Sequence, residues 1–184
     1  PYFPQDTIYV VVVDPGVGSQ RRGIAVKFAG GYLVAPDNGV LSGVLEQEPA
    51  IAVVELTNQT YWRTPQPSFT FHGRDIFAPV GAHLATGVPL EALGKSISPE
   101  SLVNLALPVI QTTGTEIKGS IQYIDGFGNL ITNIPAKLVE NRSWYLQINQ
   151  TKLSPQKTYS DVSLGEAITM IGSHGWVEIA VNGG

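Results

Sequence analysis

The chain has 184 residues, 43% of them hydrophobic and only 14% charged, which is enough for one large domain or two small ones with a real core. Its eleven Lys and Arg are scattered and its net charge is -4, so no stripe tracks phosphates and nucleic acid is excluded as a natural partner. Without cysteine there are no disulfides or thiolate metal sites, which fits the cytoplasm, and no apolar run reaches the length of a membrane helix.

The chain opens PYFPQDTIYVVVV, entering a strand almost at once with no initiator Met, so it reads as a piece of a longer protein. TIYVVVVD (7–14) is a continuous β-branched run, the pattern of a strand buried on both faces. After the turn-rich PGVGSQRR, the segments GIAVKFA and YLVAP read as two strands joined at Gly30-Gly31, a hairpin signal. Asp37 or Asn38 is placed to cap a short helix, NGVLSGVLEQE, and AIAVVEL (50–56) is a further buried strand. Residues 57–73, with two prolines, read as a loop. From Arg74, apolar residues at Ile76, Phe77, Val80 and Leu84 predict a helix ended by Gly87, with Pro79 in its early turns.

From about residue 112 the pattern changes to short strands with turns between them: IKGSIQYID, NLITNI, SWYLQINQ, EAITMIGS and WVEIAVN. The expected organisation is an α/β domain over 1–108 and a small all-β domain over 112–184. A charged fraction well below the usual value of about 25% points to surface covered by other subunits.

Four segments carry chemistry. In VDPGVGSQRR (13–22) a strand ends in Asp14, followed by glycines that admit a ligand to the backbone. The alternative is an aspartate capping its own turn, with Arg21 a surface charge. The glycine spacing is not that of a nucleotide P-loop. In FTFHGRDIFAPVGAHLA (69–85) His72 precedes a helix; it is read either as a neutral base or as a structural cap. His72, Asp75 and His83 lack a metal-site spacing, so no metal is expected. IDGFGNLITNI (124–134) and GSHGWVEIAVNGG (172–184) each read, taken alone, as a hairpin with a glycine-rich turn.

Taken in order, VVDPGVGSQRR, APDNGVL, FTFHGRDIFAPVGAHLA, IDGFGNLITNI and GSHGWVEIAVNGG resemble the S-adenosylmethionine hydroxide adenosyltransferases, relatives of the fluorinase and chlorinase. The resemblance spans nearly the whole chain. It implies an α/β N-terminal domain, a β-barrel-like C-terminal domain, and a homotrimer with sites between the N-terminal domain of one subunit and the C-terminal domain of the next. It implies hydrolysis of S-adenosyl-L-methionine, as substrate rather than cofactor, to adenosine and L-methionine. Asp14, Arg21 and His72 match the family's Asp-Arg-His set for the attacking water, with Phe71 and Gly73 beside them. Gly73 stands where the fluorinase has a halide-contacting serine, which favours water as nucleophile.

The resemblance further implies that Asp125 holds the methionine amine, Asn129 reads adenine and Phe127 lines the pocket. Ser173 and His174 then meet the methionine carboxylate, and the Asn182-Gly183 backbone meets the adenine edge. Ile131 replaces a fluorinase tryptophan. The family's first strand and loop, with an Asp for the ribose hydroxyls, precede the point where this chain starts; a piece lacking them loses the ribose subsite and one core strand. Two other readings compete: halide transfer, and a module that binds S-adenosylmethionine or adenosine without turnover.

Overall fold

The structure is a computed structural model and describes residues 3–184. The chain divides into two compact units, Pro1–Leu107 and Pro108–Gly184.

The first unit is built on a five-stranded sheet of β1 (Thr7–Val10), β2 (Gly23–Phe28), β3 (Gly31–Pro36), β4 (Ala52–Glu55) and β5 (Lys95–Ile97), in the order β1-β3-β2-β4-β5. Only β1 and β3 are parallel; every other pairing is antiparallel. β2 and β3 form the hairpin expected at Gly30-Gly31. Gly31 there has φ 140 and a Cβ would lie 2.2 Å from the Thr7 carbonyl oxygen, so no larger residue fits.

Alternation along β2 feeds two apolar layers. Ile24, Val26 and Phe28 join Leu33, Ala35, Leu41 and Val53 on one face, while Ala25 joins Val34, Val54, Phe77 and Val80 on the other. The second layer is covered by α2 (Ala78–Ala85), which ends, as predicted, before Gly87 with its φ of 91. A π-helical turn, Gly73–Phe77, precedes α2 and holds Asp75, Ile76 and Phe77 inward.

Two sequence expectations need correction. The 7–14 run is not a strand buried on both faces: the ladder stops at Val10, among the described residues β1 pairs with β3 alone, and Val10, Val12 and Val13 are exposed. In the first unit β2, β3 and β4 each place buried residues in both apolar layers. The helix after Asp37 is also shorter, α1 (Ser42–Gln47), and no side chain caps it. Asn38 instead bonds the Val40 N–H and the Val13 carbonyl. Asp37 is buried against Arg22 and accepts the Val103 N–H at 2.9 Å.

The second unit carries strands β6 (Gln111–Thr113), β7 (Glu116–Lys118), β8 (Ile121–Ile124), β9 (Leu130–Pro135), β10 (Leu146–Ile148), β11 (Thr151–Leu153), β12 (Ala167–Ile171) and β13 (Trp176–Val181). β6-β7 and β10-β11 are two-stranded ladders, and the main sheet runs β12-β13-β9-β8. No pairing joins β12 to β8 among the described residues, so this sheet does not close into a barrel. Its buried apolar centre is small: Ile168, Met170 and Ala180, with Val162 packed on them. Register shifts between Trp176 and Glu178, where β13 meets β9. Among the described residues no helix is long and apolar enough to cross a membrane.

Candidate active site

The loop between β1 and β2 brings Asp14 and Arg21 face to face. Arg21 Nε donates to both Asp14 oxygens at 3.0 Å, and its Nη2 donates to Oδ2 as well. Both side chains are largely buried. The loop is shaped for this: Val17 N–H donates to the Asp14 carbonyl and Ser19 N–H to the Gly16 carbonyl. Gly18 has φ 78, and a Cβ there would lie 2.4 Å from the Phe69 carbonyl oxygen. That close approach seats the loop against the segment leading to His72. The Phe77 ring lies 5.2 Å beneath the Arg21 guanidinium, adding a cation–π contact from the core.

His72 completes the set. Its Nδ1 lies 2.7 Å from Arg21 Nη2. A guanidinium has only donors, so Nδ1 must be the acceptor, the ring is neutral and its proton sits on Nε2. Burial, and then the positive charge of Arg21, hold the His72 pKa below the ordinary imidazole value, against the opposing pull of Asp14 and Asp75. Among the described residues neither His72 nor Asp14 caps its own turn with its side chain. His72 occupies the N-cap position of the π-helical turn but makes no side-chain cap bond, and among the described residues the side-chain partner of Asp14 is Arg21. Beside His72 an open depression of about 600 Å³ is lined by Gly18, Gln66, Pro67, Ser68 and Phe69.

Asp75, three residues after His72, is a positioning group that sequence reasoning weighed only as a metal ligand. It is 1% exposed and accepts from Arg74 Nε at 2.7 Å, Arg74 Nη2 at 3.0 Å, the Ser68 N–H at 2.9 Å and Arg63 Nη1 at 3.4 Å. Bonds from Arg74, then from the Ser68 backbone, hold its carboxyl well below the ordinary aspartate range although burial opposes them. The carboxylate thereby ties residues 63–68 to the turn that carries His72. His83 packs edge-on to Tyr61 instead, and among the described residues no group of three or more metal-ligating acids or imidazoles gathers. Phe71 is 58% exposed under the Arg74 guanidinium, and Gly73 faces Val12, where a Cβ would make ordinary contact at 3.4 Å.

In the second unit Asp125 and Asn129 meet across one turn. Asp125 Oδ1 accepts the Phe127 and Asn129 backbone N–H groups at 2.9 Å, and Oδ2 accepts Asn129 Nδ2 at 3.0 Å. Burial alone would raise the Asp125 pKa; the bonds from Asn129, Phe127 and Gly128 outweigh it and hold the carboxyl below its ordinary value. Phe127 is 85% exposed. Two residues not foreseen from sequence extend the chain of contacts: Tyr159 donates to Glu178 Oε1 at 3.0 Å, and His174 Nε2 meets Glu178 Oε2 at 3.2 Å. Ser173 stands exposed in the turn between β12 and β13. Asn182 is committed elsewhere, its amide donating to the Val162 carbonyl at 2.8 Å and its backbone pairing with Gly165 and Glu166; Gly183 follows it with φ 71.

Two family descriptions match: the SAM hydroxide adenosyltransferase N-terminal domain over residues 1–94 and the C-terminal domain of the same family over 119–184. Among relatives, the (R)-S-adenosyl-L-methionine hydrolase of Salinispora tropica is 40% identical over all of this chain and 70% of its own length. That of Thermus thermophilus is 35% identical, over all of this chain and 71% of its own length. The fluorinase of Actinoplanes sp. is 28% identical, covering 98% and 72%. A crystal structure of a conserved protein from Thermotoga maritima superposes with a TM-score of 0.87 at 39% identity, covering 98% of this chain and 71% of that one. The chain belongs to the SAM hydroxide adenosyltransferase family.

Proposed function

We propose that this chain hydrolyses S-adenosyl-L-methionine to adenosine and L-methionine, with Asp14, Arg21 and His72 at the reacting centre. The observation that carries the assignment is the buried contact of Arg21 with both Asp14 and a neutral His72. Relatives named for this hydrolysis, 35–40% identical over the whole chain, support the reaction. The fluorinase is more distant, and Gly73 offers no hydroxyl to a halide.

The chemistry asks little of the protein in acid catalysis. The sulfonium leaves C5′ as a neutral thioether, taking the C–S electron pair and needing no proton. Prior deprotonation of water is out of reach, because transfer to an ordinary imidazole spans roughly nine pKa units, or about 12 kcal/mol. The tautomer that this contact requires points the same way: with Nδ1 accepting from Arg21, His72 offers an N–H at Nε2 and no lone pair. Arg21 and His72 therefore act as donors that orient the water oxygen and stabilise negative charge developing on it, while Asp14 fixes the guanidinium. As the C5′–O bond forms the oxygen becomes strongly acidic, and its proton passes to Asp14 or to solvent.

The finer expectations rest on the same reading: contacts to the amine and base from Asp125, Phe127 and Asn129, contacts to the carboxylate from Ser173 and His174, and backbone contacts from Asn182 and Gly183. So do assembly as a homotrimer and a cytoplasmic location. The test is chromatography of products from S-adenosylmethionine. Wild-type protein should release adenosine, and His72→Ala and Arg21→Ala should each lose about 10²-fold or more in kcat. Release by His72→Ala at the wild-type rate would overturn the assignment.

A further inference from the structure

Glu178 is a buried acid that the proposed chemistry does not use. It is 5% exposed, and among the described residues no Lys or Arg pairs with it; its contacts are Tyr159 and His174. Such a group is costly unless each oxygen is met by a donor. The surroundings supply both. The Trp176 N–H donates to His174 Nδ1 at 3.2 Å, which leaves the His174 proton on Nε2, facing Glu178 Oε2. Tyr159 donates to Oε1. The backbone is arranged around this acid. Register shifts between Trp176 and Glu178, Thr132 bonds the Val177 carbonyl and Thr169 the Glu178 carbonyl. A Cβ on Gly172 would lie 2.6 Å from Glu178 Oε2 and 2.5 Å from the His174 ring.

The consequence appears at Asn129. Because the Tyr159 proton is committed to Glu178, its oxygen is left as an acceptor, and Asn129 Nδ2 approaches it at 3.5 Å. Asp125 Oδ2, also an acceptor, takes the other Nδ2 proton at 3.0 Å. Turning the amide over would set its oxygen against both acceptors. Asn129 Oδ1 thus has no donor in the protein. It is not buried either, since among the described residues Trp62 Nε1 is the one buried polar side-chain atom without a partner. A solvent-accessible carbonyl oxygen of fixed orientation, two residues from the 85% exposed Phe127 ring, suits a planar heteroaromatic ligand with an N–H at its edge.

We propose that Tyr159 and Glu178 are positioning residues that lock the Asn129 amide with its oxygen outward, and so select a purine bearing an amino group over one bearing an oxo group. This rests on the adenosine-releasing reading above and adds two residues to it. The test is calorimetric binding of adenosine and of inosine to the full chain, for wild type, Tyr159→Phe and Glu178→Gln, with melting curves to verify folding and kcat and KM measured alongside. Wild type should prefer adenosine. Tyr159→Phe, which loses only a hydroxyl, should narrow that preference about three- to tenfold and raise KM with kcat nearly unchanged. Glu178→Gln should narrow it too, because the amide cannot accept from Tyr159 and His174 together. A folded variant of either kind with the wild-type adenosine-to-inosine ratio overturns the inference while leaving the hydrolase reading intact. Failure of wild type to bind adenosine overturns both.

Discussion

Asp14 and Arg21 hold one another in a buried pair, so removing either charge strands the other. Breaking such a pair costs about 3–5 kcal/mol. Asp14→Asn should therefore lower both the urea midpoint and kcat, whereas a purely structural pair would lower stability alone. His72 sets the pH response. Because its folded pKa lies below the ordinary value, it stays neutral to a lower pH than a free imidazole, and the acid limb of kcat should fall below pH about 6.5. The linked stability has a definite sign. Above the unfolded pKa neither state holds the proton; as pH falls through about 6.5 the unfolded chain takes it up first, so stability drops. Urea titrations at pH 7.5 and 5.5 should show this drop in wild type and a smaller one in His72→Gln. Asp14, Arg21 and His72 were singled out only through the order of several motifs along the chain; local spacing fitted a turn-capping aspartate and a structural histidine as well, and their mutual contact appears only in the fold. Tyr159 and Glu178 were not singled out. An acid in WVEIAV reads as the outward position of an alternating strand, and nothing local reveals that Val177 to Ala180 are all buried.

Two loops, not the sheet, carry the site of the first unit, and each is fixed by a single residue. Gly18 combines a φ of 78 with a backbone contact that no Cβ tolerates. Gly18→Ala should cost about 1–3 kcal/mol and, by parting the Arg21 loop from the His72 segment, reduce kcat as well. Asp75→Asn should lower the melting temperature and raise protease sensitivity between residues 63 and 70. The part of wild-type stability due to Asp75 is present above the ordinary aspartate range and is lost on acidification, since its folded pKa is depressed. Elements with local signals were readable. The Gly30-Gly31 hairpin and the Gly87 helix end follow from backbone chemistry at single positions. The fate of 7–14 was not, because a β-branched run records a need for cover without naming what provides it; among the described residues β1 pairs with β3 alone, and Val10, Val12 and Val13 are exposed.

At the scale of the whole molecule, low charge, exposed Val12, Val13, Phe69 and Leu164, and the family resemblance all bear on assembly. Sedimentation equilibrium should give three times the chain mass; a monomer at micromolar concentration would remove the homotrimer from the account. Two domain types could be read from the change of pattern near residue 112, but closure of the second could not, since strand pairing depends on distant partners. The central claim is that water itself attacks C5′. Incubation of the protein with S-adenosylmethionine in H₂¹⁸O, followed by mass spectrometry of the nucleoside, tests it most directly. Adenosine carrying one ¹⁸O at its 5′ position is the predicted product; unlabelled adenosine, or a 5′-halogenated nucleoside formed when chloride is added, would contradict it.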